Sequence, residues 1–135
     1  EVQVPVAGGE QESSLRQFIA MIDEQTVDIV QPDLFYFGGL VRSIRVGRAA
    51  EAAGMACTPH ISGYGLGFLY AAIFAAIAPN AGPYHEYKGI DEDLPATAEG
   101  GRLEAKDGVI RVPTGPGLGA EIDPAFVAAA DVIQA

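Results

Sequence analysis

Short apolar runs alternate with longer amphipathic segments along the first 88 residues. The runs at residues 2–6, 28–31 and 55–58 are bounded by Gly or Pro, which is typical of buried strands, and residues 84–87, Tyr-His-Glu-Tyr, form a fourth short strand-like segment. Between them, apolar residues recur at helical spacing over residues 15–22, 41–53 and 66–78. This alternation predicts an α/β domain with parallel strands, either an open doubly wound sheet or part of a (β/α)8 barrel.

The pattern changes after Lys88. Residues 91–100 are acidic and predict a loop, and Asp107–Gly108 between two alternating segments predicts a β-hairpin. Asp123 and Pro124 are suited to the start of a helix through residue 133. We therefore divide the chain into a body, residues 1–88, and a tail, residues 89–135.

Charge and cysteine content exclude several classes of protein. The chain has 8 Lys and Arg against 18 Asp and Glu, a formal charge of −10, so we expect no nucleic acid and no anionic membrane as partner. The single cysteine, Cys57, cannot form an intrachain disulfide, which is compatible with the cytoplasm. The chain opens without Met on an apolar run, and we interpret it as a piece of a longer protein.

One ionisable side chain lies at or just after each predicted strand. These residues are roughly 25 positions apart, close to one strand–helix unit: Glu10, Asp33, His60 and Glu86. The carboxyl ends of parallel strands meet at one edge, where catalytic residues of barrel enzymes gather. Taken singly, each residue has an ordinary alternative as a solvated acid, a turn residue or a packed histidine.

The four residue types suit proton transfer. Asp33 and His60 on adjacent strands could hydrogen bond, and a carboxylate beside an imidazole fixes its tautomer and favours its protonated form. Such an imidazole can take a proton from a carbon acid. Glu10 could bind a hard cation such as Mg²⁺, and Glu86, if protonated, could donate a hydrogen bond to a substrate carboxylate.

The chain resembles the enolase superfamily, in its mandelate racemase subgroup. The resemblance rests on short motifs in matching order: Gly8–Gly9–Glu10, Gln31–Pro32–Asp33 with Gly38–Gly39, Thr58–Pro59–His60, Tyr84–His85–Glu86 and Pro116–Gly117–Leu118–Gly119. It implies the C-terminal half of a (β/α)7β TIM-like barrel, strands five to eight, with a tail that returns toward a capping domain not present in this chain.

The resemblance also implies roles. Glu10 matches a Mg²⁺ ligand, the pair Asp33 and His60 matches the general-base dyad, and Glu86 matches an acid that hydrogen bonds the substrate. Tyr36 stands where the racemase has a lysine, so we expect it to meet a substrate other than mandelate. The implied reaction is removal of the proton α to a carboxylate through an enediolate, with acid-sugar dehydration preferred and racemisation or epimerisation as the alternative.

The superfamily's other metal ligands and its capping domain do not match anything in the chain. We therefore expect this chain alone to be inactive, to need the N-terminal half of the same protein, and to belong to a homo-oligomer. A hypothesis from another functional class also stays open, namely that the chain is a non-catalytic α/β interaction fragment. In that case the four ionisable side chains would be scattered.

Overall fold

A parallel three-stranded sheet lies at the centre of the body, in a computed structural model that describes residues 3–61, 65–88, 96–98 and 105–129. Its strands run in the order β1 (Ala7–Gly8), β2 (Ile29–Val30) and β3 (Ala56–Cys57). Ala7 pairs with Ile29, which in turn pairs with Ala56. The predicted α/β fold with parallel strands is confirmed.

The helices follow the predicted spacing closely, with one addition. They are α1 (Leu15–Asp23), α2 (Leu34–Phe37), α3 (Leu40–Ala52), α4 (Leu66–Ile77) and α5 (Pro124–Ala128). The sequence analysis missed α2, a single turn between Asp33 and Gly38. Gly38 ends that turn with φ +94°, a left-handed conformation that glycine adopts without steric cost. Within the described residues, no helix is long and apolar enough to cross a membrane.

Among the described residues, two apolar clusters form the core. The first packs α1, α2 and α3 around the sheet, with Phe18, Phe37 and Cys57 fully buried. The second lies under α4 and is formed by Ile61, Phe68, Leu69 and Ala71, with Ile110, Leu118 and Ala120 of the tail packed against it. The segment from Cys57 to Ile61 therefore passes from one cluster to the other.

The tail contains an antiparallel strand pair that the sequence analysis missed. Strand β4 (Ala96–Ala98), within the predicted acidic loop, pairs with β5 (Ala120–Ile122). At the predicted hairpin, Lys106 and Val109 form an isolated antiparallel bridge around a two-residue turn. Residues 99–104, where the sequence predicts one arm of the hairpin, lie outside the described part of the chain. So do residues 89–95, where the predicted tail begins. Helix α5 begins at Pro124 as predicted, with the Asp123 carboxylate accepting from the Ala125 amide, while residues 130–135 also lie outside.

Two predicted strands need correction. The first ladder begins at Ala7 rather than inside residues 2–6, and Val4 and Val6 are exposed. The ladder starts there because β2 begins at Ile29. The backbone amides of Asp28 and Ile29 both donate to the Val6 carbonyl, so the residues before Val6 extend past the start of β2. The fourth predicted strand, residues 84–87, has no ladder partner among the described residues. This segment is joined to the residues after β3 by a hydrogen bond from the Ile61 amide to the Glu86 carboxylate.

Candidate functional site

Asp33 and His60 lie side by side because the β2–β3 ladder continues past the two strands. The amide of Thr58 donates to the Val30 carbonyl, and the amide of His60 donates to the Pro32 carbonyl at 3.2 Å. Asp33 and His60 then form a parallel bridge of their own. Their side chains meet, with His60 Nδ1 2.9 Å from Asp33 Oδ2. The spatial pairing expected from strand order is therefore present.

The Asp33 carboxylate is fully buried and serves two structures at once. Its Oδ1 accepts hydrogen bonds from the backbone amides of Phe35 at 2.7 Å and Tyr36 at 3.1 Å, which caps α2. Its Oδ2 faces His60 Nδ1. An ionised carboxylate can only accept, so Nδ1 carries the hydrogen and the Nε2 atom is the basic position of the neutral ring.

Two further carboxylates lie near the second ring nitrogen of His60, Nε2. Glu10 Oε2 and Glu86 Oε2 each lie 3.9 Å from His60 Nε2. The Glu10 side chain is 47% exposed and that of Glu86 38%, whereas the imidazole is only 16% exposed. The four candidate side chains therefore converge on one partly open mouth at the carboxyl ends of the strands.

Glu86 is fixed by a contact that the sequence analysis missed. Its Oε2 accepts a hydrogen bond from the backbone amide of Ile61 at 2.8 Å. Ile61 directly follows His60 and its side chain is buried in the second cluster. Glu86 thus holds the backbone beside the imidazole, and no side-chain pattern in the sequence would reveal a partner that is a main-chain amide.

The Glu10 carboxylate could supply one ligand to a cation. Its carboxylate is half exposed at the mouth, and carboxylate oxygen is what Mg²⁺ prefers. Among the residues that the structure describes, no group of three or more His, Cys, Asp or Glu side chains is arranged to hold a metal ion. These residues therefore fit one ligand of a shared magnesium site, whose other ligands would have to come from outside them.

Three further side chains, those of Tyr36, His85 and Cys57, differ in their surroundings. Tyr36 is 55% exposed, and its backbone amide donates to the Asp33 carboxylate that caps α2. Burial lowers the pKa of His85, and a backbone hydrogen bond with Gly82 partly offsets that effect. Burial alone raises the pKa of the Cys57 thiol to about 12, so this thiol stays protonated and is unsuited to nucleophilic chemistry.

A groove of about 540 Å³ lies between α4 and the tail, next to the mouth rather than in it. Its walls are largely apolar and include Ile61, Phe68 and Ile110, and Glu86 borders it. His60, Asp33 and Glu10 do not line it. The ionisable side chains around His60 converge at the mouth rather than in this groove.

The fold and the site together define an α/β domain that presents an acid–imidazole pair and two carboxylates at the ends of parallel strands. The chain belongs to the enolase C-terminal domain-like family, whose model matches residues 1–126. It is 32% identical over 119 residues to the arabinonate dehydratase of Saccharolobus solfataricus, covering 88% of this chain and 31% of that protein.

Two further matches agree. The chain is 32% identical over 127 residues to the D-galactarolactone cycloisomerase of Agrobacterium fabrum, covering 89% of this chain and 34% of that protein. It matches the crystal structure of a mandelate racemase/muconate lactonizing enzyme-like protein from Rubrobacter xylanophilus with a TM-score of 0.80 and 28% identity, over 92% of this chain and 32% of that one. The resemblance to the mandelate racemase subgroup of the enolase superfamily is thus confirmed. The chain spans about a third of the length of these relatives.

Proposed function

We propose that the chain is the C-terminal half of a (β/α)7β barrel, strands five to eight, in an enzyme that removes the proton α to a carboxylate. Residues 1–88 would form the half-barrel, and residues 89–135 would return toward a capping domain. The single observation that carries the proposal is the arrangement around His60, with Asp33 2.9 Å from Nδ1 and both Glu10 and Glu86 3.9 Å from Nε2.

His60 is the proposed general base. Asp33 holds the hydrogen on Nδ1, so the Nε2 lone pair can take the α-proton of a substrate held at the mouth. The imidazolium that forms is stabilised by the buried carboxylate. In dehydration, the electron pair left on the α-carbon expels the β-hydroxide, which takes up a proton from the His60 imidazolium or from solvent and leaves as water.

Glu10 and Glu86 would bind the substrate carboxylate, Glu10 through a metal ion and Glu86 through a hydrogen bond. Glu10 is the proposed ligand from this chain to Mg²⁺, an ion that would neutralise the negative charge gathering on that carboxylate. Glu86 keeps one oxygen on the Ile61 amide and, in its protonated form, can donate a hydrogen bond to the substrate. Tyr36 is the proposed contact to the rest of the substrate, since it lies on the helix that Asp33 caps and its side chain is exposed.

Acid-sugar dehydration is the preferred reaction. The relatives named arabinonate dehydratase and D-galactonate dehydratase support a sugar acid as substrate. Racemisation or epimerisation by the same base is the second candidate, favoured by the structural match to the racemase and lactonizing enzyme group. In either case we propose that the chain alone is inactive, and that the active form is a longer, homo-oligomeric protein.

The test is exchange of the substrate α-proton with solvent deuterium, in the longer protein that carries this chain and with a panel of sugar acids. His60→Asn should abolish exchange while His85→Asn, the change at the only other histidine in the chain, should preserve it. Exchange that survives in His60→Asn would remove the base assignment. Formation of a 2-keto-3-deoxy acid, rather than the epimeric substrate, would decide for the dehydratase.

The magnesium proposal has its own test. Calorimetric titration of the longer protein with Mg²⁺ should show weaker binding in Glu10→Gln, while Glu12→Gln, two positions along the same turn, should bind like the unsubstituted protein. Equal affinity in Glu10→Gln and the unsubstituted protein would take Glu10 out of the site.

A further inference from the structure

Arg42 joins the segment that carries Glu10 to the helix that Asp33 caps. Its Nη2 donates a hydrogen bond to the carbonyl oxygen of Ser13 at 3.1 Å. Its Cζ lies 4.5 Å from the ring centroid of Phe37, the last residue of α2. A single side chain on α3 therefore contacts both the segment that follows Glu10 and the helix that Asp33 caps.

The backbone beside Arg42 is shaped to admit its guanidinium. A Cβ atom at Gly38 would lie only 3.1 Å from Arg42 Nη1, which is closer than ordinary contact. Gly38 also has φ +94°, so two separate constraints favour glycine at this position. The planar guanidinium lies over an aromatic ring and reaches a carbonyl at once, a combination that the ammonium of lysine does not reproduce.

The other end of the Glu10 turn is held by aromatic packing. A Cβ at Gly9 would lie 2.8 Å from Cε1 of Phe18, so this ring closely backs the residue before Glu10. The ring of Phe18 packs edge-on against Phe37 at 5.0 Å. The turn itself is closed by the Glu12 amide, which donates to the Gly9 carbonyl at 3.0 Å. Phe18 thus fixes the entry of the turn, and Arg42 fixes the exit at Ser13.

We propose that Arg42 is a positioning residue for Glu10, acting through the turn of residues 9–13 and through Phe37. It sets where the Glu10 carboxylate stands relative to His60 and to the Asp33-capped helix. This rests on the proposed function, in which Glu10 is a magnesium ligand. Mg²⁺ demands near-ideal ligand geometry, so a turn released at one end holds the ion less tightly.

The experiment compares Arg42→Met and Arg42→Lys with Arg45→Met, a change at an exposed arginine on the same helix. In the longer protein, Arg42→Met should raise the Kd for Mg²⁺ by up to about tenfold, the lower end of what loss of a direct hydrogen bond to a metal ligand costs, because Arg42 acts through the Ser13 carbonyl. Hydrogen exchange at the Glu12 amide should accelerate in the absence of metal. Arg42→Lys should raise the Kd by a smaller factor, and Arg45→Met should alter neither quantity.

The outcomes separate this inference from the proposed function. If Glu10→Gln weakens Mg²⁺ binding while both Arg42 variants bind as the unsubstituted protein does, the positioning role is wrong and the function stands. If Glu10→Gln has no effect, the magnesium role assigned to Glu10 fails first. Should Arg42→Met not fold, Arg42→Lys decides, because unchanged affinity and unchanged Glu12 exchange in that variant overturn the inference.

Discussion

Asp33 allows the helix cap and the imidazole contact to be separated experimentally. Asp33→Ala removes the acceptor for the Phe35 and Tyr36 amides together with the partner of His60 Nδ1. Loss of an N-cap acceptor costs about 1 kcal/mol, and loss of a charge-assisted hydrogen bond costs about 2 kcal/mol. The free energy of unfolding should therefore fall by about 3 kcal/mol.

Asp33→Asn is the matched control, because it keeps an oxygen to cap α2. Its cost should be about 1 kcal/mol, the difference between a charged and a neutral partner for His60. The amide NH₂ would face Nδ1 and act as a donor, which moves the ring hydrogen to Nε2 and removes the basic position from the mouth. Asp33→Asn should thus be well folded yet unable to support substrate α-proton exchange.

Urea unfolding measures the two stabilities, and long-range ¹⁵N–¹H correlation spectra report which ring nitrogen of His60 carries hydrogen. Equal stability losses in the Ala and Asn variants would refute the separate capping contribution of Oδ1. An Asn variant whose hydrogen remains on Nδ1 would refute the claim that the carboxylate sets the tautomer.

Three further predictions concern the core, the thiol and a half-exposed histidine. Phe18→Ala empties a fully buried site and should lower the free energy of unfolding by about 3–5 kcal/mol; a loss under about 1 kcal/mol in urea unfolding would contradict the packing described. The pKa of Cys57 is raised from 9.0 to about 12, so its thiol should react with a disulfide reagent only once the protein is unfolded. The free energy of unfolding should fall as pH rises above 9.0, because only the unfolded chain then ionises this thiol. Rapid labelling of the native protein would argue against burial. Because the pKa of His85 is lowered from 6.5, the unfolded state binds more protons just below that pH, so stability should decline there on acidification, and this slope should diminish in His85→Gln; an unchanged slope would assign the effect to another group.

The helices and the convergence of ionisable residues could be predicted because they depend on periodicity and strand order. The apolar spacing of α1, α3 and α4 survives in the structure almost residue for residue. The meeting of Asp33 and His60 follows from parallel pairing of adjacent strands, which the alternation of elements already implied.

What could not be predicted depends on main-chain partners and on short elements. Helix α2 is a single turn, too short for any periodicity, and only the Asp33 cap and the Gly38 terminus mark it. The Glu86 contact ends on a backbone amide, and the Arg42 contact ends on a backbone carbonyl, so neither leaves a complementary charge in the sequence. Strands β4 and β5 hold three residues each, and their pairing joins segments on either side of the predicted hairpin.

The short segment that carries His60 crosses between the two apolar clusters, with Cys57 anchored in one and Ile61 in the other. An imidazole borne on such a bridge has little freedom to follow a substrate of different shape. Under the proposed function, a change of substrate would therefore be expected at exposed side chains such as Tyr36, which is 55% exposed, rather than at His60. One scaffold could in this way keep the same proposed chemical step while its substrate changes.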